Sequence, residues 1–197
     1  MTKRAVLTFT VMAALAGTPA AYAAGPAGIA RTFQKASALN YFSEGRPTLA
    51  PFAQVRFCMQ SPDECRASDG AEMIALDDAA YRELARVNAS VNRSIVAVND
   101  SGDLGDVWQV DVQSGDCEDF ALTKRDRLIK AGWSPRALRI AVAHTPAGEG
   151  HAVLAVRTDR GDLVLDNRTS SIRSWRDTDL RWVKIQSGED PHRWYEL

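Results

Sequence analysis

The 197-residue chain carries 24 Lys plus Arg against 25 Asp plus Glu, a formal net charge of −1. A balance this even argues against nucleic acid or an anionic membrane as the main partner. With no internal repeat and no low-complexity tract, the length suits one ordinary domain with a sizeable core.

The chain opens MTKRAVLTFTVMAALAGTPAAYAAGPAG. Lys3 and Arg4 precede an apolar run from Ala5 to Ala16, and Ala21-Tyr22-Ala23 supplies small residues at alternate positions. That is the pattern of a secretory signal peptide, residues 1–23, cleaved near Ala23. The apolar run is too short for a membrane anchor, which needs about 20 residues. No later segment is apolar enough to insert in a membrane. Cleavage leaves roughly 174 residues, a single domain by length. Residues 24–50, rich in Ala, Gly, Ser and Pro, read as an irregular lead-in, and residues 51–197 as the folded domain.

Three cysteines behind an export signal leave one unpaired. Cys58 and Cys65 stand seven apart in FCMQSPDEC, with Pro62 to bend the chain between them. So short a loop closes easily, and a Cys58–Cys65 disulfide is the natural pairing. Cys117 is then the free thiol. It is either inert and buried or held for chemistry.

In chain order, PFAQVRFC (51–58) reads as a short extended piece. LDDAAYRELARVNASVNRSIVAV (76–98) predicts a helix capped by Asp77, with Leu84, Val87, Val91 and Ile95 forming one apolar stripe. Asn88 and Asn92 flank the stripe as solvated positions, with active-site amides as the alternative. NDSGDLGDVWQVDVQSG (99–115) is polar and glycine-bearing, hence loop. Its Trp108 is either a wall of a site or a loop anchor. A second helix begins at Cys117, with Phe120, Ala121, Leu128 and the stem of Lys124 on one face and Gly132 as its stop. Beyond it the period becomes two: Leu138, Ile140 and Val142 alternate with Ala137, Arg139 and Ala141. HAVLAVRT (151–158) and LVLDN (163–167), joined by the turn DRGD, complete three consecutive antiparallel strands. LRWVKIQ and HRWYEL in the tail can add another. Helices followed by a meander make an α+β arrangement.

Cys117 sits between Asp116 and Glu118, with Asp119 next. Acidic neighbours raise a thiol's pKa. A helix N-terminus and a nearby imidazole work the other way, and together they can make a thiolate. His151 opens one strand and Asp166 closes the next. If Arg160 and Gly161 form a two-residue turn, the two share a face, but Asp166 falls opposite Ala155, four residues along from His151. That is about 13 Å, so a bulge, strong twist or longer turn has to close the gap. His144 and His192 are weaker competitors for the base. The sequence has no paired ligand spacing of the kind that Cys/His metal sites use.

GDCEDFA, then HAVLAV, then LVLDN, in this order behind an export signal, resemble the bacterial transglutaminase-like cysteine proteinases, of which LapG-type adhesin proteases are representatives. FCMQSPDEC and VNASVNRSI resemble the family's upstream part, and the likeness spans roughly residues 50–175. It implies a papain/transglutaminase-like α+β fold with the nucleophile at a helix N-terminus packed on an antiparallel sheet. It further implies Cys117 as nucleophile, His151 as general base and Asp166 as the group that orients the imidazole. Asp116, Glu118 and Asp119 match a stretch that binds calcium in the family; the alternative is that they only complement the helix dipole. The resemblance implies a periplasmic cysteine endopeptidase, a protein substrate such as a large surface adhesin, and an inner-membrane cyclic-di-GMP receptor as a partner. Two rivals use the same residues: acyl transfer by a transglutaminase or deamidase, and a non-enzymatic envelope binding module with a relic triad.

Overall fold

The computed structural model describes residues 40–100 and 105–197. The expected signal peptide and the first part of the lead-in lie outside the described residues. Of the lead-in, residues 40–50 are irregular apart from strand β1, Pro47–Thr48.

Helix α1 spans Phe52–Gln60. This corrects the extended reading of residues 51–58. Ala53, Gln54, Phe57 and Cys58 are the buried positions, a spacing that only a helix turns to one side. An eight-residue window is too short for periodicity to decide between helix and strand. A short 3-10 turn, Pro62–Cys65, follows, and Cys58 is disulfide-bonded to Cys65.

Helix α2 spans Asp78–Ser94, and its Asp77 cap accepts the Ala80 N–H at 2.8 Å. Leu84, Val87, Val91 and Ile95 are all buried, as their spacing requires. The solvated reading of Asn88 and Asn92 does not hold. Asn88 is fully buried and Asn92 half-buried, because both turn toward the segment that follows Leu165. Two-residue strands β2 (Val96–Ala97) and β3 (Ser114–Gly115) pair in parallel just ahead of helix α3, Cys117–Lys130.

The remaining strands are β4 (Leu138–His144), β5 (Gly150–Thr158), β6 (Gly161–Leu165), β7 (Arg173–Ser174), β8 (Arg181–Gln186) and β9 (Trp194–Glu196). With β1 they form a seven-stranded sheet in the order β1-β9-β8-β4-β5-β6-β7, every pair antiparallel. Leu138, Ile140, Leu154, Val156 and Leu165 face the helices and pack with Phe57, Leu84, Val91, Phe120 and Leu128. The opposite face is covered too, by the lead-in and the tail. Phe42 lies over Ala141, Ala143, Val153 and Ala155, with Trp175 and Trp182 beside it at ring separations of 4.7 and 4.8 Å. Alanine at these strand positions leaves room for the aromatic layer.

Two substitutions separate packing from capping. Leu84→Ala empties a fully buried site and is expected to cost about 2–5 kcal/mol. Asp77→Ala removes one cap and is expected to cost about 0.5–2 kcal/mol. Urea unfolding with an unchanged m-value reads both.

Candidate active site

Helix α3 delivers Cys117 as its first residue, half-buried and free. The approach is tight. A Cβ on Gly115 would collide with the Asp119 carboxylate, so glycine is needed where the chain turns into the helix. Asp119 uses one oxygen on the Gln109 N–H at 2.7 Å and the other on the Asp116 N–H at 3.3 Å. It thereby ties the helix start to the loop that precedes it.

Cys117 Sγ accepts the main-chain N–H of Ala152 at 3.3 Å and donates to Glu118 Oε2 at 3.2 Å. The first contact sets the sulfur against the start of β5, one residue from His151. His151 is buried, and its Nε2 lies 2.9 Å from Asp166 Oδ1. That bond leaves Nδ1 as the ring atom available for proton transfer.

The register explains how His151 and Asp166 meet. The turn is Asp159–Arg160, not Arg160–Gly161, because Thr158 pairs with Gly161 and Leu154 with Leu165. The ladder slides by two residues relative to the expectation. Asp166, one step past the last pair, then lies level with Val153. It is two residues from His151, about 7 Å along the strand, which two side chains can bridge. The change preserves parity, so the shared face is as expected.

Burial alone would raise the Asp166 carboxyl. The His151 bond and the Arg168 main-chain and side-chain bonds outweigh it and hold the group well below the usual carboxylate range. Lys124 is fully buried behind it, with Nζ donating to Leu165 O at 3.4 Å. Burial pushes the ammonium down to about 7, against the pull of the Asp166 charge.

Around the thiol the balance is different. Burial, then the Glu118 charge, push Cys117 far above the ordinary thiol range, with the Ala152 N–H opposing. Glu118 is itself pushed up to about 10, by burial and then by its acidic neighbours Asp106 and Asp116. Asp100, Asp106, Asp116 and Glu118 each bring one oxygen within 4.8 Å of the others. Asp116 Oδ1 and Glu118 Oε1 are buried without a hydrogen-bond partner. Hard oxygens gathered with unspent lone pairs are the donor set that suits a calcium ion. Asp119, the third acid expected from the sequence, stands outside this group. Asp100 and Asp106 were not foreseen, since nothing in the spacing of a polar loop marks two of its acids.

These residues open on a cleft of about 610 Å³, whose walls include Pro51, Ala97, Trp108, Val142, Thr145 and Gly150. Trp108 is both wall and anchor: it is buried, and its indole N–H donates to Asp106 Oδ2 at 3.0 Å. His144 does not line the cleft, and His192 sits at the surface beside Asp190.

A free cysteine at the head of a helix, packed on an antiparallel sheet, is the arrangement of the transglutaminase-like thiol enzymes. The family model described as bacterial transglutaminase-like cysteine proteinase matches residues 44–197; the chain belongs to that family and is a cysteine peptidase. Among solved structures, calcium-bound LapG of Legionella pneumophila is similar at 26% identity and a TM-score of 0.49, over 58% of this chain and 68% of that one. The EGTA-treated form is similar at 28% identity and a TM-score of 0.46, over 53% of this chain and 62% of that one. No curated protein matches the chain.

The buried lysine yields a test with a definite sign. Lys124 has a folded pKa of about 7 against an ordinary 10.5, so between those values the unfolded chain binds more protons and stability rises with pH. Below about pH 7 the buried charge costs its full amount. Lys124→Met, which keeps the volume, is expected to unfold at a higher temperature than wild type at pH 6, with the gap shrinking toward pH 10. A gap independent of pH would contradict the buried, displaced ammonium.

Proposed function

We propose that the protein is a periplasmic endopeptidase in which Cys117, His151 and Asp166 act as nucleophile, general base and orienting carboxylate. The observation that carries this reading is the 2.9 Å His151 Nε2···Asp166 Oδ1 contact, with the adjacent Ala152 N–H bonded to Cys117 Sγ. The imidazole takes the thiol proton at Nδ1, and the thiolate adds to a peptide carbonyl. Main-chain N–H groups at the start of α3 receive the oxyanion. The imidazolium then protonates the leaving amine, giving an acyl-enzyme. The same nitrogen draws a proton from water to release the acid. Asp166, held ionised by His151 and Arg168, supports the imidazolium while it exists.

Asp100, Asp106, Asp116 and Glu118 would hold a calcium ion, with main-chain carbonyls or water completing a shell of about six to eight oxygens. When bound, its charge offsets the carboxylates that oppose a thiolate at Cys117. Asp119 supports the same site from outside by fixing the helix start. The substrate is an envelope protein, in this reading a large surface adhesin, and an inner-membrane cyclic-di-GMP receptor is the regulatory partner. The disulfide agrees with export. Among the described residues no helix is long and apolar enough to cross a membrane.

Cleavage of a co-expressed surface adhesin, followed on gels, tests the roles. Cys117→Ala and His151→Ala are each expected to abolish turnover, a loss of about 10³-fold or more. Asp166→Asn keeps a hydrogen-bonding group and is expected to be less severe. Near-normal turnover in His151→Ala would remove the imidazole from the mechanism.

Calorimetry tests the ion. Wild type is expected to bind calcium and to lose activity in EGTA. Asp116→Ala is expected to mimic chelation, and Asp119→Ala to lower stability with binding retained. Full activity in EGTA with no heat of binding would remove the calcium site.

A further inference from the structure

Asp166 stands where the chain leaves the sheet: β6 ends at Leu165 and β7 begins at Arg173. Between them the main chain has no ladder to fix its position. Two side chains of α2 meet it instead. Asn92 Nδ2 donates to Asp166 O and to Thr169 O, both at 3.0 Å. Asn88 Nδ2 donates to Thr169 O at 3.2 Å and to Ser170 O at 3.1 Å. Residues four apart on a helix share a face, so the pair forms one clamp with the Thr169 carbonyl at its centre.

We propose that Asn92, backed by Asn88, is a positioning residue for the His151–Asp166 pair, holding the Asp166 main chain on α2 so that its carboxylate meets His151 Nε2. The inference rests on the catalytic reading above. The other bonds that Asp166 makes cannot do this work. Its Arg168 partners belong to the same loop and move with it. Among the described residues Arg168 is tied outward to Asp179 alone, through a surface ion pair that solvent screens. The amides approach from the buried side, and each spends one nitrogen on two carbonyls.

The chemistry of the clamp requires a donor. Asn88 Oδ1 and Asn92 Oδ1 are both buried without a partner, so among the described residues the amide nitrogens make the side-chain bonds that hold the pair to the loop. An aspartate at either position would set acceptors against carbonyl oxygens. A small apolar residue would leave the carbonyls unpaired and the loop free to move away from the 2.9 Å contact with His151.

A double-mutant cycle tests this with iodoacetamide, which alkylates the Cys117 thiolate and needs no knowledge of the substrate. Wild type, Asn92→Ala, Asp166→Ala and the double variant are compared at one pH and one calcium concentration, with Tm measured on each. Asn92→Ala is expected to slow alkylation about five-fold or more in the wild-type background and less than about two-fold in the Asp166→Ala background, with a similar Tm loss in both. Asn88→Ala, which does not touch Asp166, is expected to slow it less; if Asn92→Ala does not fold, Asn88→Ala takes its place in the cycle. Equal slowing in the two backgrounds, or none in a folded variant, overturns the proposal. Asp166→Ala reacting at the wild-type rate overturns the catalytic reading and this inference with it. A slow Asp166→Ala beside a fast Asn92→Ala overturns this inference alone.

Discussion

The Ala152 main-chain N–H donates to Cys117 Sγ at 3.3 Å, and the cleft is built outward from that contact. It joins the first residue of a helix to the opening of a central strand, two elements that have to be fixed in angle and depth for the bond to exist. Phe120 and Leu128 on α3 and Leu154 and Val156 on β5 share one core, which supplies that fixing. The hydrophobic packing does not discriminate among side-chain chemistries. It sets the axis along which the hydrogen bonds then select one geometry.

Electrostatically the site is two halves with opposite needs. On the imidazole side, Asp166 is held ionised by donors from His151 and Arg168 although burial opposes it. On the thiol side, burial and Glu118 drive the sulfur toward its neutral form. Glu118, in the middle of the acids around Cys117, is itself pushed up to about 10 by burial and then by Asp106 and Asp116. Glu118 and Asp116, which raise the Cys117 thiol, both belong to the group of acids that would suit a cation.

The sheet is closed on its second face by polar as well as aromatic means. Arg139 is almost wholly buried between Glu44, at 2.6 Å, and Asp162, at 3.5 Å, and Asp162 Oδ2 accepts the Phe42 N–H at 2.7 Å. Paired charges of this kind add little net stability but are costly to break singly. Their effect is to pin residues 42–44 across β4 and β6, the strands on either side of β5, which carries His151. The site is thereby supported from behind by a segment whose composition reads as leader.

The amphipathic stripe of α2, the Asp77 cap, the meander and the Cys58–Cys65 pairing were legible because each is a local property of spacing or residue type. The positions of Cys117 at a helix start and His151 near a strand start were legible for a similar reason, because each is read from its immediate neighbours in the chain. The helix at residues 52–60 was not, because nine residues hold too few turns for the period to speak. The one-residue difference in the turn at Asp159 was invisible as well, since either turn keeps the alternation intact and only the packed ladder chooses between them. Asp100, Asp106, Asn88 and Asn92 look like ordinary solvated residues in the chain. They acquire their partners only when distant segments come together. Sequence by itself determined where a free thiol, a histidine and a carboxylate stand along the chain and which faces of its long helix and meander would be buried. Distances between the groups, and the identity of those that hold them in place, were decided by tertiary structure alone, because hydrogen bonds depend on separations of a few tenths of an ångström that no periodicity encodes.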